Sequence, residues 1–498
     1  MARLGALAGE ALPGVLVDIA SDAASPVVPL HSRQRVALAL AWPPSKLEHV
    51  VDTGGFTFAD AFAGIGGFHA ALSSHGGTCV WASEIDPWAS AVYERNWGLR
   101  PSGDIVGHTL PGEPVAVPSH DVFAAGFPCQ PFSKSGFQRG IRETRGTLFW
   151  NILRVLEERR PPLVVLENVR NLAGPRQRDT FDTIVKQLRR LGYRVAGEPA
   201  VFSPHLLPPN RDGRPQVRDR VFITGTYVGE GATKADLGAF LPPVVTVADR
   251  VDDWDPASWR IEDFLDQAVD VDDVHHCRLT DEEVYIIEVW NEFVQAVDTD
   301  RRLPGFPIWA DAFVDDPHIT DSTPKWKATF LRKNAALYQR NHRAIDRWLS
   351  RHDQLNALPA SRRKFEWQAQ DSERDLWQCV MHFRPSGLRV KRATYLPALV
   401  AITQTSIIGP RRRRVTPAEA RRLQGLPDGF DFGSQPLAQT YKQLGNGVNV
   451  GVVRYVVRQH VLRDQAFLPD RLSRALAGVS DPRTVSAIDL GESVAATA

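Results

Sequence analysis

Short apolar runs separated by longer mixed segments dominate the pattern between Phe56 and Thr226. Runs of this length, bounded by turn residues, are typical of buried strands. The segments 146–159 and 178–191 between them carry apolar positions at helical spacing. Strands that alternate with helices predict βαβ units and a parallel sheet, which is an α/β fold. The predicted strands are 56–62, 79–83, 121–127, 163–169 and 220–226.

The pattern changes after Thr226, where prolines, tryptophans and blocks of charge replace the alternation of strands and helices. This atypical stretch, residues 229–385, is long enough to be a domain of its own. A globular pattern returns over 386–465, and the last residues are rich in Ala, Ser and Asp. The predicted organisation is an N-terminal extension (1–50), a first domain (51–228), an inserted domain (229–400), a return to the first domain (401–465) and a flexible tail (466–498).

Two helices are predicted in the returning part. In the first, within 411–430, Thr416 is the expected N-cap, Pro417 occupies the first helical position and Glu419 stands three residues after the cap. This is the pattern of a capping box. The second helix is an apolar segment, 448–462, that follows a Gly-Asn-Gly turn.

The composition is that of a globular protein, with 43% hydrophobic and 23% charged residues, and the net charge is +1. Any surface for nucleic acid must therefore come from local segregation of charge. Residues 248–273 contain ten acidic and two basic residues, whereas residues 325–364 contain eleven basic and two acidic ones. In the basic block, apolar side chains share one helical face. Its basic side chains are then either a solvated helix face or a phosphate-contacting surface.

The cysteines indicate a reducing environment. They are far apart and form no CxxC, so neither a zinc site nor a disulfide framework is expected, and no metal is predicted. No apolar run approaches the roughly 20 residues of a membrane helix. Acidic residues interrupt the N-terminus, so no signal peptide is predicted and a cytoplasmic location is expected. The four cysteines are Cys79, Cys129, Cys277 and Cys379.

A glycine-rich turn follows the first predicted strand, with Gly64, Gly66 and Gly67 in FADAFAGIGGFHAAL. Glycines at this place let a ligand approach the backbone at the carboxyl end of a strand. Glu84 ends the next predicted strand, at a spacing where an acid can hold ribose hydroxyls. The turn lacks the dinucleotide spacing GxGxxG, and taken alone it could be no more than a tight turn.

Two polar residues mark the ends of later strands. Cys129 enters a loop between Pro128 and Pro131, a setting unlike that of the buried cysteines that fill a core. Glu167 ends an apolar strand, where a carboxylate is costly unless it is paired or functional. It could simply cap the following turn. If the strands are parallel, both residues meet at one edge of the sheet.

Three donor-rich side chains enter the last strand at alternate positions: Gln216, Arg218 and Arg220 in RPQVRDRVFITG. Alternation points them to one side of the strand. Groups of this kind converge where an anion or a carbonyl is bound. A solvent-facing edge would give the same pattern.

The segments FAGIGG, PCQ, ENV, QVRDR, RLQGLPD and GNGV occur in this order. With them the chain resembles the DNA cytosine-5 methyltransferase family, of the bacterial modification type. The resemblance covers roughly 58–226 and 387–460. It implies a Rossmann-like, S-adenosylmethionine-dependent methyltransferase core with a mixed, mostly parallel sheet. It also implies a smaller inserted target-recognition domain.

The resemblance assigns roles to individual residues. Cys129 would attack carbon 6 of a flipped-out cytosine, Glu167 would act near N3, and Arg218 and Arg220 would fix the base. Ile85 stands where the family often has an aromatic residue after the ribose acid. The residues expected at the S-adenosylmethionine site are Phe58 against the adenine, Gly64, Gly66, Glu84 at the ribose, Asp104 at the adenine amino group, Pro128, Leu148, Asn446 and Val448.

The resemblance also implies double-stranded DNA as the partner and residues 229–400 as the domain that reads it. Arg340, Arg343 and Arg347, which share one helical face, are the expected phosphate contacts. A monomer is expected, with a cognate restriction endonuclease as a possible companion.

Three alternatives remain at this point. A tRNA cytosine methyltransferase has the same core but would have a compact insert. A non-catalytic DNA-binding relative would have lost Cys129 or Glu167, and both are present. A nucleotide-binding oxidoreductase would explain the glycine turn alone.

Overall fold

The computed structural model describes residues 55–128, 148–266, 276–297, 303–372, 374–399 and 405–478. The predicted extension, 1–50, and the predicted nucleophile Cys129 lie outside the described residues.

The first sheet leads into the glycine turn and carries Glu167 and Arg220, two of the predicted catalytic residues. Its strands are ordered β2-β1-β3-β4-β8-β5, with β6 also paired to β8. β1 to β4 are parallel, β8 is antiparallel to β4, and β5 and β6 are antiparallel to β8. All described strands of this sheet except β8 therefore point the same way, as the predicted α/β fold requires. The bounds are β1 Phe56–Ala61, β2 Gly77–Ser83, β3 Val122–Gly126, β4 Leu163–Val169, β5 Tyr193–Val195, β6 Ala200–Phe202 and β8 Arg220–Tyr227.

Helices cover both faces of this sheet. In β3, Val122 and Ala124 face one core while Phe123 and Ala125 face the other. Burial on both sides explains why the predicted strands are continuous apolar runs and not alternating ones. The predicted helices at 146–159 and 178–191 are α3 and α4. The helices before the second domain are α1 Gly67–Ser73, α2 Pro87–Trp97, α3 Leu148–Arg159 and α4 Arg178–Arg190.

A second sheet forms the core of the inserted domain, with the strand order β15-β14-β11-β12-β10-β9. Two helices, α5 Asp281–Ala296 and α6 Lys325–Arg351, pack on one of its faces. A short pair between β7 Gln216–Val217 and β13 Leu396–Pro397 joins the end of this domain to the first. The strands of the second sheet are β9 Ile308–Trp309, β10 Lys364–Gln368, β11 Cys379–Arg384, β12 Gly387–Arg392, β14 Ile407–Ile408 and β15 Arg413–Arg414.

The boundary predicted at 229 differs from the packing. Val245, Val251, Ile261 and Leu265 are buried in the first core, whereas the core of the second domain contains residues from 286 to 407. The reason is that the apolar side chains in the acidic segment after Thr226 are buried against the first core, so this segment packs with the first domain.

The C-terminal part returns to the first domain. It contains α7 Pro417–Gln424, α8 Leu437–Asn446, α9 Val450–Asp464 and α10 Asp470–Gly478. The capping box of Thr416 and Glu419 at α7 is present. The prediction of a flexible tail from 466 is wrong for α10. Leu472 and Leu476 are fully buried there, and Arg471 pairs with Asp121.

Candidate active site

β1 runs into a turn with an unusual backbone. Phe62, Gly64 and Gly66 have φ angles of 56°, 56° and 91°. A Cβ on Gly66 would lie 2.1 Å from Nε1 of Trp97, so a side chain cannot fit there. A Cβ on Gly64 would meet no atom within 4 Å. The turn therefore packs tightly at Gly66 and leaves open space beside Gly64, where a ligand can approach.

Glu84 lies one residue past β2 and is tied to this turn. Its Oε2 accepts a hydrogen bond from the N–H of Gly64 at 2.8 Å, and its Oε1 accepts one from the N–H of Asp86 at 2.8 Å. Each carboxylate oxygen has a further lone pair. The side chain can therefore accept additional hydrogen bonds from hydroxyl groups of a ligand in the open space.

Asp104 stands beside the same sheet edge. The N–H of Ser102 donates to the carbonyl of Ala82 in β2 at 2.8 Å, which holds this segment next to β2. Asp104 itself is exposed, and its Oδ1 accepts a hydrogen bond from the N–H of Val106 at 3.0 Å. The glycine turn and the two carboxylates fit a group that presents hydroxyl and amino donors, as an adenosyl group does.

The structure does not support the prediction that Phe58 lies against an adenine ring. Phe58 is fully buried, and its ring centroid lies 5.3 Å from that of His69 on α1. β1 turns this side chain into the core. Phe62, which begins the FAGIGG segment, follows the strand and is half-buried at the turn. Ile85, at the end of the neighbouring strand, is 73% exposed. Sequence reasoning missed Phe62, although the motif contains it.

The described chain before Cys129 ends at Pro128, one residue earlier. Gly126 in β3 pairs in register with Glu167 in β4, and a Cβ on Gly126 would lie 3.6 Å from Oε2 of Glu167. The side-chain amide of Asn168 donates to the carbonyl of Phe127 at 2.9 Å. Pro128 is exposed. The last described residues before Cys129 therefore lie beside Glu167.

Glu167 is buried and paired with Arg220. Nε of Arg220 lies 2.9 Å from Oε1 of Glu167. Burial raises the pKa of the Glu167 carboxyl above its usual value, while Arg220 and Arg218 oppose that shift. The result is a carboxyl group that takes up a proton more readily than an exposed one and can donate a hydrogen bond when protonated.

Arg218 does not share this position. Its guanidinium is fully buried and donates to the carbonyls of Leu399 at 3.0 Å, Gly445 at 2.8 Å and Gly447 at 2.5 Å. Burial and the charge of Arg220 lower its pKa to about 9, so it remains charged at neutral pH. The sequence predicts that Gln216, Arg218 and Arg220 converge on one side of the strand, but Arg218 and Arg220 have different partners. Arg220 contacts Glu167, and Arg218 ties the strand to the C-terminal part.

Of the remaining predicted cofactor residues, Leu148 and Asn446 lie on helices, and Val448 lies between α8 and α9. Leu148 is half-buried at the start of α3, and Asn446 is exposed at the end of α8. Val448 is buried against the first turn of α1, since its Cγ1 would lie 2.7 Å from a Cβ on Gly67. Val448 is thereby adjacent to the glycine turn.

The predicted DNA-contacting arginines are exposed on α6. Arg340, Arg343 and Arg347 lie on the exposed side of α6. Ile345 and Trp348 pack in the core of the second domain, and Ala335 is buried. Within the described part of the chain, no carboxylate lies within ion-pair distance of them. In the same part, no cluster of three His, Cys, Asp or Glu side chains could hold a metal ion. No described helix is long and apolar enough to cross a membrane.

Comparison with known proteins places the chain in a family. Among solved structures, the S. pombe Dnmt2 methyltransferase aligns with 82% of this chain and 99% of its own, at 18% identity and a TM-score of 0.42. The type II methyltransferase M.AluI of Cellulosimicrobium cellulans is 44% identical over 522 residues, covering 88% of this chain and 99% of the relative. M.BanI of Aneurinibacillus aneurinilyticus is 30% identical over 440 residues, covering 80% and 94%. The profile of C-5 cytosine-specific DNA methylase matches residues 56–462. This match and the two type II relatives show that the chain belongs to the C-5 cytosine-specific DNA methylase family and is a DNA (cytosine-5-)-methyltransferase that uses S-adenosylmethionine.

Proposed function

We propose that the enzyme methylates carbon 5 of a cytosine within a specific duplex DNA sequence, with Cys129 as the attacking nucleophile. The observation that carries this proposal is the Glu167–Arg220 pair. Glu167 lies in register with Gly126 on the neighbouring strand, and Gly126 is three residues before Cys129. A buried acid and a fixed guanidinium beside a cysteine loop suit the activation of a pyrimidine ring. A stacked base cannot reach this edge of the sheet, so the cytosine must be extruded from the duplex.

The chemistry follows from the weak nucleophilicity of carbon 5. The Cys129 thiolate adds to carbon 6, and the electron pair displaced from the 5,6 double bond makes carbon 5 reactive. Glu167 stabilises this addition from its protonated form by a hydrogen bond or proton transfer at N3. Bound S-adenosylmethionine supplies the electrophilic methyl group on its sulfonium. After carbon 5 has taken the methyl group, loss of its proton expels Cys129 and restores the double bond.

Arg218 and Arg220 have different roles in orienting the site. Arg220 holds the Glu167 carboxylate and can contact the base. Arg218 acts as a positioning residue, because its guanidinium donates hydrogen bonds to three backbone carbonyls. It keeps the strand of Arg220 aligned with the turn at Gly445 and Gly447.

The cofactor would lie at the carboxyl ends of β1 and β2. Gly64 and Gly66 shape the cradle, Glu84 accepts from the ribose hydroxyls and Asp104 from the adenine amino group. Phe62 and Ile85, at the ends of neighbouring strands, would pack on the adenine. Pro128 would orient the Cys129 loop. The pocket would be closed by Leu148, Asn446 and Val448.

The second domain would position the DNA. Arg340, Arg343 and Arg347 are free of described carboxylates, which supports a role in contacting phosphates independently of sequence. The names of the type II relatives support a modification enzyme of a restriction system, with a cognate endonuclease as companion. A monomer working in the cytoplasm on nucleoid DNA is sufficient for this chemistry.

The test is methyl transfer from labelled S-adenosylmethionine to duplex DNA and to tRNA. We expect labelling of duplex DNA only, and bisulfite sequencing of DNA from expressing cells should locate the methylated sequence. Cys129→Ser should abolish transfer while cofactor binding stays near normal. It should also abolish trapping on DNA that contains 5-fluorocytosine. Retained turnover in Cys129→Ser, or preferential labelling of tRNA, would contradict the proposal.

A further inference from the structure

The second sheet has one apolar face under α5 and α6. Its opposite face is polar over β10, β12 and the end of β11, whereas Val380 and Ile408 on that side pack in the first core. Phe365, Trp367, Leu388 and Val390 belong to the core under α5 and α6. Alternation sends their neighbours to the opposite side. These neighbours, which we call the polar sheet face, are Glu366 and Gln368 on β10, His382 and Arg384 on β11, and Arg389 and Lys391 on β12.

Positive charge is concentrated on the polar sheet face. Burial, together with the charges of Arg384, Arg414, Arg389 and Lys391, lowers the pKa of His382 to about 4. The pKa of Lys391 is lowered by burial and by Arg389 and Arg384, with Glu366 in opposition. Like charges on neighbouring strands repel one another. The polar sheet face brings Arg384, Arg389 and Lys391 together with the carboxylate of Glu366. A bound polyanion would relieve the repulsion between these positive charges.

One polar atom on this face lacks a partner. His382 is 8% exposed, and its Nδ1 makes no hydrogen bond within the described residues. A buried nitrogen without a partner costs free energy. The imidazole is neutral at this pKa, so Nδ1 either donates or accepts a hydrogen bond according to the tautomer, and a polar group of bound DNA could satisfy it in either form.

Glu366 gives the face a fixed geometry. Its Oε2 lies 2.7 Å from Nη2 of Arg389 and accepts a hydrogen bond from Nε at 2.8 Å. Its Oε1 accepts a hydrogen bond from the side-chain amide of Gln368. The strands place Glu366 beside Arg389 and Gln368 beside Lys391. Arg389 and Gln368 are therefore held in place without a ligand, as residues that read base edges need to be.

One end of the polar sheet face, at Gln368 and Lys391, borders a cleft that also reaches the first domain. This cleft of about 710 Å³ is lined by Gln368 and Lys391 from the sheet, by Tyr395 and, from the first domain, by His205. The ring centroids of His205 and Tyr395 lie 5.3 Å apart. His205 is also close enough to Asp219, the residue before Arg220, to feel its charge. The cleft thus connects the sheet to the strand that carries Arg220, whereas α6 lies on the other side of the sheet.

We propose that duplex DNA lies across the polar sheet face, with Lys391 and Arg384 on phosphates and Arg389, positioned by Glu366, on a base edge. This inference rests on the proposed function but assigns the DNA surface to the sheet and not to α6. Because α6 lies on the opposite side of the sheet, this surface and the phosphate contacts proposed for the α6 arginines are alternatives. Arginine is the commonest donor to guanine in the major groove, and sheets are known to enter grooves. Phosphate contacts set the position on the duplex, and the base contact sets the sequence.

The experiment compares variants of the full chain by fluorescence anisotropy with two short labelled duplexes. One carries the site mapped for the wild type by bisulfite sequencing, and the other is a scrambled duplex of equal composition. Arg389→Gln should reduce the preference for the mapped site by roughly tenfold or more. Glu366→Gln should reduce the preference for the mapped site too, since Arg389 loses its carboxylate partner.

Lys391→Gln and Arg384→Gln should weaken binding to both duplexes equally. Each should lower the slope of log affinity against log salt by about 0.9.

The matched control is Arg363→Gln. Arg363 pairs with Asp311 at 3.1 Å, and its side chain is 28% exposed, against 25% for Arg389, but it precedes β10 and is not part of the polar sheet face. It should bind both duplexes like the wild type. Equal thermal melting of all variants guards against misfolding. If Arg389→Gln and Lys391→Gln bind both duplexes like Arg363→Gln, the polar sheet face is not the DNA surface.

The failure of the proposed function would look different. If the wild type methylates no DNA, no mapped site exists and the scrambled duplex serves as the probe. Loss of its binding in Lys391→Gln and Arg384→Gln then supports the surface even though the reaction is misassigned. Binding of a structured tRNA that is lost in the same variants, with duplex binding unchanged, would overturn the inference in favour of RNA.

Discussion

Glu84 connects the cofactor cradle to the sheet, because one carboxylate bonds the backbone of both Gly64 and Asp86. Glu84→Ala should weaken S-adenosylmethionine binding by about 1–3 kcal/mol, the cost of leaving polar partners without a hydrogen bond. Isothermal titration calorimetry measures this directly. Glu94→Ala, which removes an exposed carboxylate on α2, is the control and should bind normally. An unchanged dissociation constant for Glu84→Ala would show that the ribose contact is misassigned.

Phe58 and Phe62 are four residues apart and should behave in opposite ways. Phe58→Ala should lower the free energy of unfolding by about 3–5 kcal/mol, because a buried ring leaves a cavity. Phe62→Ala should weaken cofactor binding with a smaller effect on stability, because its ring is only half-buried. Urea unfolding and calorimetry on both variants separate these outcomes. If Phe58→Ala alone weakens cofactor binding at full stability, Phe58 and not Phe62 packs on the adenine.

At the scale of elements, α6 offers a test of sequence-independent DNA affinity. If α6 and not the polar sheet face contacts the phosphates, the triple variant with Arg340, Arg343 and Arg347 changed to Gln should weaken specific and unrelated duplexes about equally. The slope of log affinity against log salt should fall by about 0.9 for each phosphate that the variant no longer neutralises. Cofactor binding should be unchanged, because it belongs to the other domain. Salt-dependent anisotropy measures the slope.

Two results would revise the role of α6. If the triple variant loses its preference for the mapped site but binds unrelated DNA normally, α6 reads bases. If neither affinity changes, the basic block is a solvated helix face. The second result is compatible with the polar sheet face as the DNA surface, since the two lie on opposite sides of the second sheet.

At the scale of the whole molecule, a buried network joins the C-terminal return to the first sheet. Nε2 of His460 in α9 lies 2.8 Å from the hydroxyl of Thr226 in β8, and this hydroxyl donates to Asp464 at 3.0 Å. Burial lowers the pKa of His460 to about 3, with Arg463 and Arg194 adding to the shift and Asp464 opposing it. The folded protein therefore excludes a proton that the unfolded chain binds below about pH 6.5.

This exclusion predicts a pH dependence of stability. The contribution of His460 is fully present above about pH 6.5 and is lost as the pH falls toward 3. His460→Gln keeps a hydrogen-bonding group and removes the titration. From pH 6.5 to 5, the free energy of unfolding of the wild type should fall more steeply than that of the variant, by up to about 1.4 kcal/mol per pH unit. Parallel slopes in urea titrations would show that His460 takes up a proton while folded.

The sequence by itself determined the first domain. Its strands are buried on both faces, so each is a continuous apolar run that local pattern reveals, and β4 occurs at the predicted residues 163–169. The capping box at Thr416 could also be predicted from local sequence, because its hydrogen bonds join residues three apart. The family motifs likewise named Glu167 and Glu84 as site residues, since each stands where a strand ends.

Tertiary structure decided what depends on contacts between distant segments. Only packing shows that β1 turns Phe58 into the core and leaves Phe62 at the turn. Only the carbonyls of Leu399, Gly445 and Gly447 distinguish Arg218 from Arg220. The polar sheet face was not visible in the sequence, because its charges are dispersed over three strands between residues 366 and 391. Side chains far apart along the chain become a surface only when the strands pair.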